Sequence, residues 1–272
     1  MKLLLKLIFN GARYAGWQAQ SPRGKEDAGA PSVQRTLTDA LSECFGFPVR
    51  VTGCSRTDAG VHALGFCASA EPADAYDTES GRWLKIPVGR VHRAAAHFLP
   101  DDISVCGEAL VPHDFHPRYS AVGKTYVYRM TDTVWHDPFE SRTAWELPRP
   151  VSEEAFSGMR RAASYIPGTR DFSSFMAAGS KISDARRTVK TLEIERTGNG
   201  IRMTVSADGF LYHMVRIIAG TLADCAYGSL DPDGIPAVLE ARDRSKAGRT
   251  APAHGLFLAG VDYGAPIPWL CE

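Results

Sequence analysis

Apolar and polar positions follow two rhythms along this chain, and the period separates strands from helices. Met1 to Phe9 (MKLLLKLIF) is an apolar run broken by Lys6, which predicts a first strand, and Gly11 to Gln20 is a glycine-punctuated loop. Ser32 stands just before Val33, Leu37, Ala40, Leu41 and Cys44 at helical spacing, which predicts a serine-capped helix. Pro48 precedes a short strand, Val49 to Gly53, and a polar turn, Ser55 to Ala63, leads into a strand over Leu64 to Ala70. Val88 to Phe98 reads as a helix and Ile103 to Val111 as a strand. This order, β-loop-α-β-β-α-β, is close to a ferredoxin-like unit of split βαβ type.

The second half repeats the theme without obvious sequence identity. Tyr119 to Thr131 is expected as a strand, and Ser152 to Tyr165 as a helix capped by Ser152. Arg187 to Arg196 and Gly200 to Ala207 form a predicted hairpin turning through Gly198, Asn199 and Gly200. Helices over Phe210 to Tyr227 and Pro232 to Arg242 follow, with a closing strand, Leu256 to Tyr263. Strand runs with segregated helices predict the α+β class, in two similar halves, 1–111 and 112–272. Ser21 to Pro31 reads as an exposed excursion, and Glu71, Asp74, Asp77 and Glu79 as a solvated loop.

Composition narrows the picture. Of 272 residues, 44% are hydrophobic and 23% charged, which excludes a disordered or fibrous chain. Lysine plus arginine number 31 against 31 aspartate plus glutamate, so any polyanionic partner must be met by local patches. No apolar stretch reaches the roughly 20 residues of a membrane span. The longest, Gly209 to Cys225, carries His213 and Arg216. Lys6 and the lack of a small-residue cleavage site argue against a signal peptide at Met1 to Phe9. The six cysteines form no C-x-x-C pair, so no zinc or redox motif is expected, and reduced thiols fit a cytoplasmic protein.

Three clusters carry candidate chemistry. Ser55-Arg56-Thr57-Asp58-Ala59-Gly60-Val61-His62-Ala63 offers a carboxylate near a cation on a turn whose small residues allow another molecule close, or it is an ordinary surface turn. Asp208 to Arg216 places Arg216 among apolar residues. A buried arginine needs a carboxylate, for which Asp58 is the nominee, unless Arg216 extends to solvent. Phe115-His116-Pro117-Arg118 precedes a predicted strand on which Lys124, Tyr126 and Tyr128 share a face. That face suits phosphates and splayed bases, or is simply core. Seven basic residues between Phe156 and Leu192, opposed by Asp171 and Asp184, and the group Arg242, Arg244, Lys246 and Arg249 favour the RNA side.

Together these segments resemble the tRNA pseudouridine synthase A family. The match runs through Phe9-Asn10-Gly11-x-x-Tyr14-x-Gly16-Trp17-Gln18-x-Gln20, Ser32-Val33-Gln34, Arg56 to Ala63, Phe115 to Arg118 with Lys124-x-Tyr126-x-Tyr128, Asp208 to Arg216, and Ala251-Pro252-Ala253-x-Gly255-Leu256. Ile217, Arg170 and His97 depart from the family's usual residues without touching a proposed chemical role. The resemblance implies two ferredoxin-like halves around a central antiparallel sheet with helices on one side, the pseudouridine synthase fold. It also implies isomerisation of uridine to pseudouridine in the anticodon arm of tRNA, at positions 38 to 40, by a cytoplasmic homodimer.

By the same resemblance Asp58 is the catalytic nucleophile or base, Arg216 its compensating charge, and Tyr126 the ring that stacks on the uracil and could carry its C5 proton. Arg56 is expected as a wedge or phosphate hook, and Arg118 and Lys124 as substrate contacts. His62 is expected to hold the turn. No metal and no cofactor is expected, since the chain contains neither metal-ligand spacing nor a phosphate-binding glycine loop. Two rivals remain: a non-catalytic RNA-binding module, which would not need Asp58, and a glycoside or nucleoside hydrolase, which usually needs two carboxylates where only Asp58 sits in a motif.

Overall fold

The computed structural model describes residues 1–19, 29–74, 83–179 and 182–270. Most of the expected Ser21–Pro31 excursion, together with Asp77, Glu79 and Lys181, lies outside them. The chain divides into two compact units, Met1–Val122 with Leu258–Glu272, and Gly123–Phe257. Relative to the division expected at 111/112, residues 112–122 and the C-terminal segment group with the first half.

In the first unit, β1 (Lys2–Phe9) runs antiparallel between β3 (His62–Pro72) and β4 (Ile103–Val111), and β2 (Val49–Gly53) pairs with the second half of β3. With α1 (Val33–Phe45) and α2 (Val91–Ala95), the order β1-α1-β2-β3-α2-β4 is the expected ferredoxin-like unit. β1 is central, which explains why its leucines read as a run: Leu3, Leu4, Leu5 and Leu7 are all fully buried. Ser32 caps α1 by accepting the Arg35 amide, and Gly46 ends it in the left-handed conformation. From Leu258 onward β10 (Leu256–Asp262) lies beside the first half of β3.

Two expectations change here. The 88–98 helix shrinks to α2: it starts late because the Glu108 carboxylate on β4 takes the amides at its start, and past Ala95 it tightens into turns, His97 N–H donating to Ala94 O (3.3 Å) and Phe98 N–H to Ala95 O (3.0 Å). The carboxylate accepts from Gly89 (2.7 Å), Val91 (3.2 Å) and His92 (2.6 Å), and from His92 Nδ1 (2.7 Å). Glu71 belongs to no solvated loop. It is buried near the end of β3, with Arg50 at 3.3 Å and Lys2 at 3.9 Å.

The second unit is also α+β: β5 (Gly123–Thr131), a short parallel partner β6 (Trp145–Glu146), α3 (Glu153–Ser164), β7 (Gly168–Asp171), and the hairpin β8 (Arg186–Thr197) and β9 (Gly200–Ala207). Its strands order β5-β9-β8-β7, antiparallel throughout. α4 (Met214–Ala226) and α5 (Ile235–Ala241) follow. The 119–131 strand starts only at Gly123, because His116 Nδ1 accepts the Arg118 and Tyr119 amides and folds that stretch into a turn. The expected 232–242 helix splits into a short helical turn, Pro232–Gly234, and α5. Among the described residues no helix is long and apolar enough to cross a membrane.

Glu108 sits at zero exposure with three backbone donors around it, so Glu108→Ala would orphan them together. The expected loss is at least about 2 kcal/mol, read from the urea midpoint of unfolding.

Candidate active site

The Asp58 turn is built by its neighbours. It closes on itself through Val61 N–H to Asp58 O (3.2 Å), and the loop after β1 grips it from outside. Trp17 N–H donates to Thr57 O (3.2 Å), Gly60 N–H to Tyr14 O (3.3 Å), and Gly11 N–H to Nδ1 of buried His62 (3.0 Å). Gly16 has φ +96°, and a Cβ there would lie 2.4 Å from Thr57 O, so both its conformation and its contact demand glycine.

The gripping loop is itself anchored. Val33 N–H donates to Gly16 O (3.1 Å), Gln34 N–H to Trp17 O (2.9 Å), and Gln34 Nε2 to Val51 O (2.9 Å). The Trp17 ring stacks on Phe66 at 4.1 Å, with Phe9 stacked beside Trp17 and tilted against Phe66. Tyr14 Oη donates to Asp102 Oδ1 (2.6 Å), and Arg13 Nε donates to Oδ2 of the same carboxylate (2.7 Å). Burial and the Asp102 charge push the Tyr14 phenol far above its usual range, so it remains a donor. Three sequence motifs, at 11–17, 32–34 and 55–62, are thus one assembly. On it the Asp58 side chain is half-buried, Arg56 is exposed, and Thr57 Oγ1 is buried with no hydrogen-bond partner among the described residues. Arg118 is exposed in the 115–120 turn, its guanidinium 5.7 Å from the Tyr119 ring.

In the second unit, Lys124, Tyr126 and Tyr128 share one face of β5, as alternation requires. Lys124 pairs opposite Ala207 and Tyr126 opposite Val205 on β9. Past Ala207 the chain leaves the sheet, held by Asp208 Oδ1 accepting the Thr188 amide (3.0 Å), and brings Phe210 edge-on to Tyr126 at 5.0 Å. The expected helix from Phe210 begins instead at Met214, because His213 adopts φ 58°, ψ 9°, a left-handed conformation that interrupts the helical path. Residues 208–213 are therefore a loop. Arg216, in the first turn of α4, donates from Nε to Ala251 O (2.8 Å), and its own carbonyl accepts the Ala251 amide (3.1 Å). Buried Tyr128 donates to Pro252 O (2.7 Å). Burial raises its phenol well above the usual range, with the Arg216 charge opposing.

The structure thus brings Arg56 and Asp58 onto one turn of the first unit, and Lys124 and Tyr126 onto one face of β5 in the second, with the Arg216 charge felt by Tyr128 on that face. Phe210 received no role in the sequence reading, although an aromatic residue two positions after Asp208 was the available signal. The basic patches are uneven. Arg161 pairs with Asp233 (2.8 Å), and Arg249 with Asp224 (2.7 Å), so these serve the fold. Arg170 and Arg186 are exposed on the paired strands β7 and β8.

The chain is similar to known proteins along nearly its whole length. Residues 162–264 match the family model described as tRNA pseudouridine synthase. A tRNA pseudouridine synthase A of Moorella thermoacetica is 41% identical over 261 residues, covering 96% of this chain and 99% of the relative. The Acetivibrio thermocellus protein of the same name is 40% identical over 264 residues, covering 97% and 99%. That of Bacillus subtilis is 38% identical over 265 residues, again covering 97% and 99%. A solved Cbf5-Nop10-Gar1 complex is similar at 9% identity and TM-score 0.32, covering 80% of this chain and 53% of that one, too distant to bear on the site.

His62→Ala should lower stability by about 1 to 3 kcal/mol by orphaning the Gly11 amide. His62→Asn, whose side-chain oxygen can replace Nδ1, should restore most of it, as read by thermal unfolding.

Proposed function

The chain belongs to the tRNA pseudouridine synthase A family, and we propose that it isomerises uridine to pseudouridine in the anticodon arm of tRNA, at positions 38 to 40, with Asp58 starting the reaction. The observation that carries this reading is a carboxylate on a turn fixed from outside by two backbone donors, Trp17 and Gly11, and one backbone acceptor, Tyr14, since near-attack geometry must exist before substrate arrives.

In the net reaction the N1–C1′ bond breaks, a C5–C1′ bond forms, the C5 proton goes to solvent and N1 gains one. Asp58 acts as nucleophile at the sugar or as the base that starts glycal formation. Arg216 supplies the positive charge that keeps it ionised. Tyr126 stacks on the turned-out uracil, and a phenol is a weak base at neutral pH, so stacking is the better supported of its two roles. Unstacking a base costs a few kcal/mol, which phosphate contacts from Arg56, Arg118 and Lys124 help to offset. The protein works as a cytoplasmic homodimer, without metal or cofactor.

Purified protein and unmodified tRNA, followed by mapping of pseudouridine through carbodiimide-dependent reverse-transcription stops, test this directly. Stops in the anticodon arm are expected, and they should vanish with Asp58→Ala while tRNA binding persists. Unchanged modification by that variant would overturn the role of Asp58, and release of free uracil would favour a hydrolase. Arg216→Lys should lower kcat by about 10- to 100-fold, since an ammonium cannot reproduce a guanidinium's fixed geometry. Chelator should leave the rate unchanged.

A further inference from the structure

Residues 243–255 contain no strand and only short helical turns, yet one carbonyl in this stretch, Ala251 O, orients the guanidinium of Arg216. A carbonyl on a loop is a fixed acceptor only if the loop is fixed. Resting on the role proposed above for Arg216, we infer that Gly248–Pro252 is a strap laid along α4, and that Asp224 and Thr221 are positioning residues that set Arg216 through it.

The strap meets one face of α4 at successive turns. Near the far end of the helix, Asp224 is buried, its Oδ2 accepting the Arg249 amide (3.0 Å) and its Oδ1 the Arg249 Nε (2.7 Å). One turn earlier, Thr221 Oγ1 accepts the Gly248 amide (2.9 Å) and donates to Ile217 O (2.7 Å). At the near end, Arg216 and Ala251 exchange two bonds. Positions 224, 221, 217 and 216 lie on one side of a helix by its period. The approach is backbone to backbone: a Cβ on Gly220 would fall 1.9 Å from Arg249 O.

The consequence is directional. With Nε committed to Ala251 O, the plane of the guanidinium is set, and with it the direction in which the Nη atoms point. Asp224 lies eight helical steps beyond Arg216, about 12 Å along the axis, so Asp224 acts through the strap and not on the reacting atoms. The buried Asp224 carboxylate has donors on both oxygens. Asn would turn an N–H₂ toward one of them and push the strap away.

The test is a double-mutant cycle in the tRNA reaction. Asp224→Asn should lower kcat about tenfold or more with little change in KM, because misplacement by a fraction of an ångström is costly in rate. In an Arg216→Lys background, where the planar fork is already lost, Asp224→Asn should cost no further kcat. Equal losses in both backgrounds would mean general damage to the fold and overturn the strap, as would an unchanged kcat in the single variant. If Arg216→Lys itself runs at the parent rate, the reading of Arg216 fails, and the strap with it. Thr221→Val, which removes only the hydroxyl bonds, guards against misfolding of the Asp224 variant and should give a smaller loss in the same pattern.

Discussion

A short turn cannot hold a carboxylate still by itself; something outside the turn must fix it. Here that constraint falls on the carbonyls of Thr57 and Tyr14 and on the imidazole of His62, which tie residues 57–62 to the loop after β1. The loop is in turn pinned to the start of α1 and to the Trp17–Phe66 stack. Removing the Cβ at Gly16 is what lets the two backbones meet. The first unit of the fold is therefore a holder for one side chain, with its apolar core, its helix cap and its central strand all converging on where Asp58 sits.

The second unit applies the same economy to a cation and a ring. β5 presents Tyr126 against the edge of Phe210, and the left-handed His213 delays the start of α4, so that Phe210 can reach it. Non-glycine residues in this conformation cost about 1 to 2 kcal/mol, and such strain persists where surrounding contacts impose it. Arg216 follows at once, with its guanidinium tied to Ala251. Aromatic ring and arginine thus leave one loop-and-helix junction, which is why they fall in a single sequence motif.

Much of this was legible in the order of residues, and the failures are instructive. Periodicity located α1, β4 and the β8–β9 hairpin because each buries a recurring stripe, and β1 showed as an apolar run because both of its faces are buried. Periodicity missed the late start of the 88–98 helix, because the group responsible, Glu108, comes from another strand. It overran the start of α4, because apolar residues in a packed loop share the composition of a buried helix. It took Glu71 for solvent because charge alone does not reveal Lys2 and Arg50 waiting on neighbouring strands. The candidate residues were legible only as motifs. That the motifs at 11–17, 32–34 and 55–62 form one assembly is a fact of tertiary contact, absent from any single stretch of sequence.

In this isomerisation the uracil stays with its sugar while changing the atom by which it is joined. Transfer RNA carrying tritium at C5 of uridine tests it most directly, because that hydrogen must leave when C5 becomes the point of attachment. One tritium released to water for every pseudouridine formed, with no free uracil, is the expected result. Free uracil appearing in step with the reaction, or pseudouridine absent while protein stays bound to the tRNA, would contradict it.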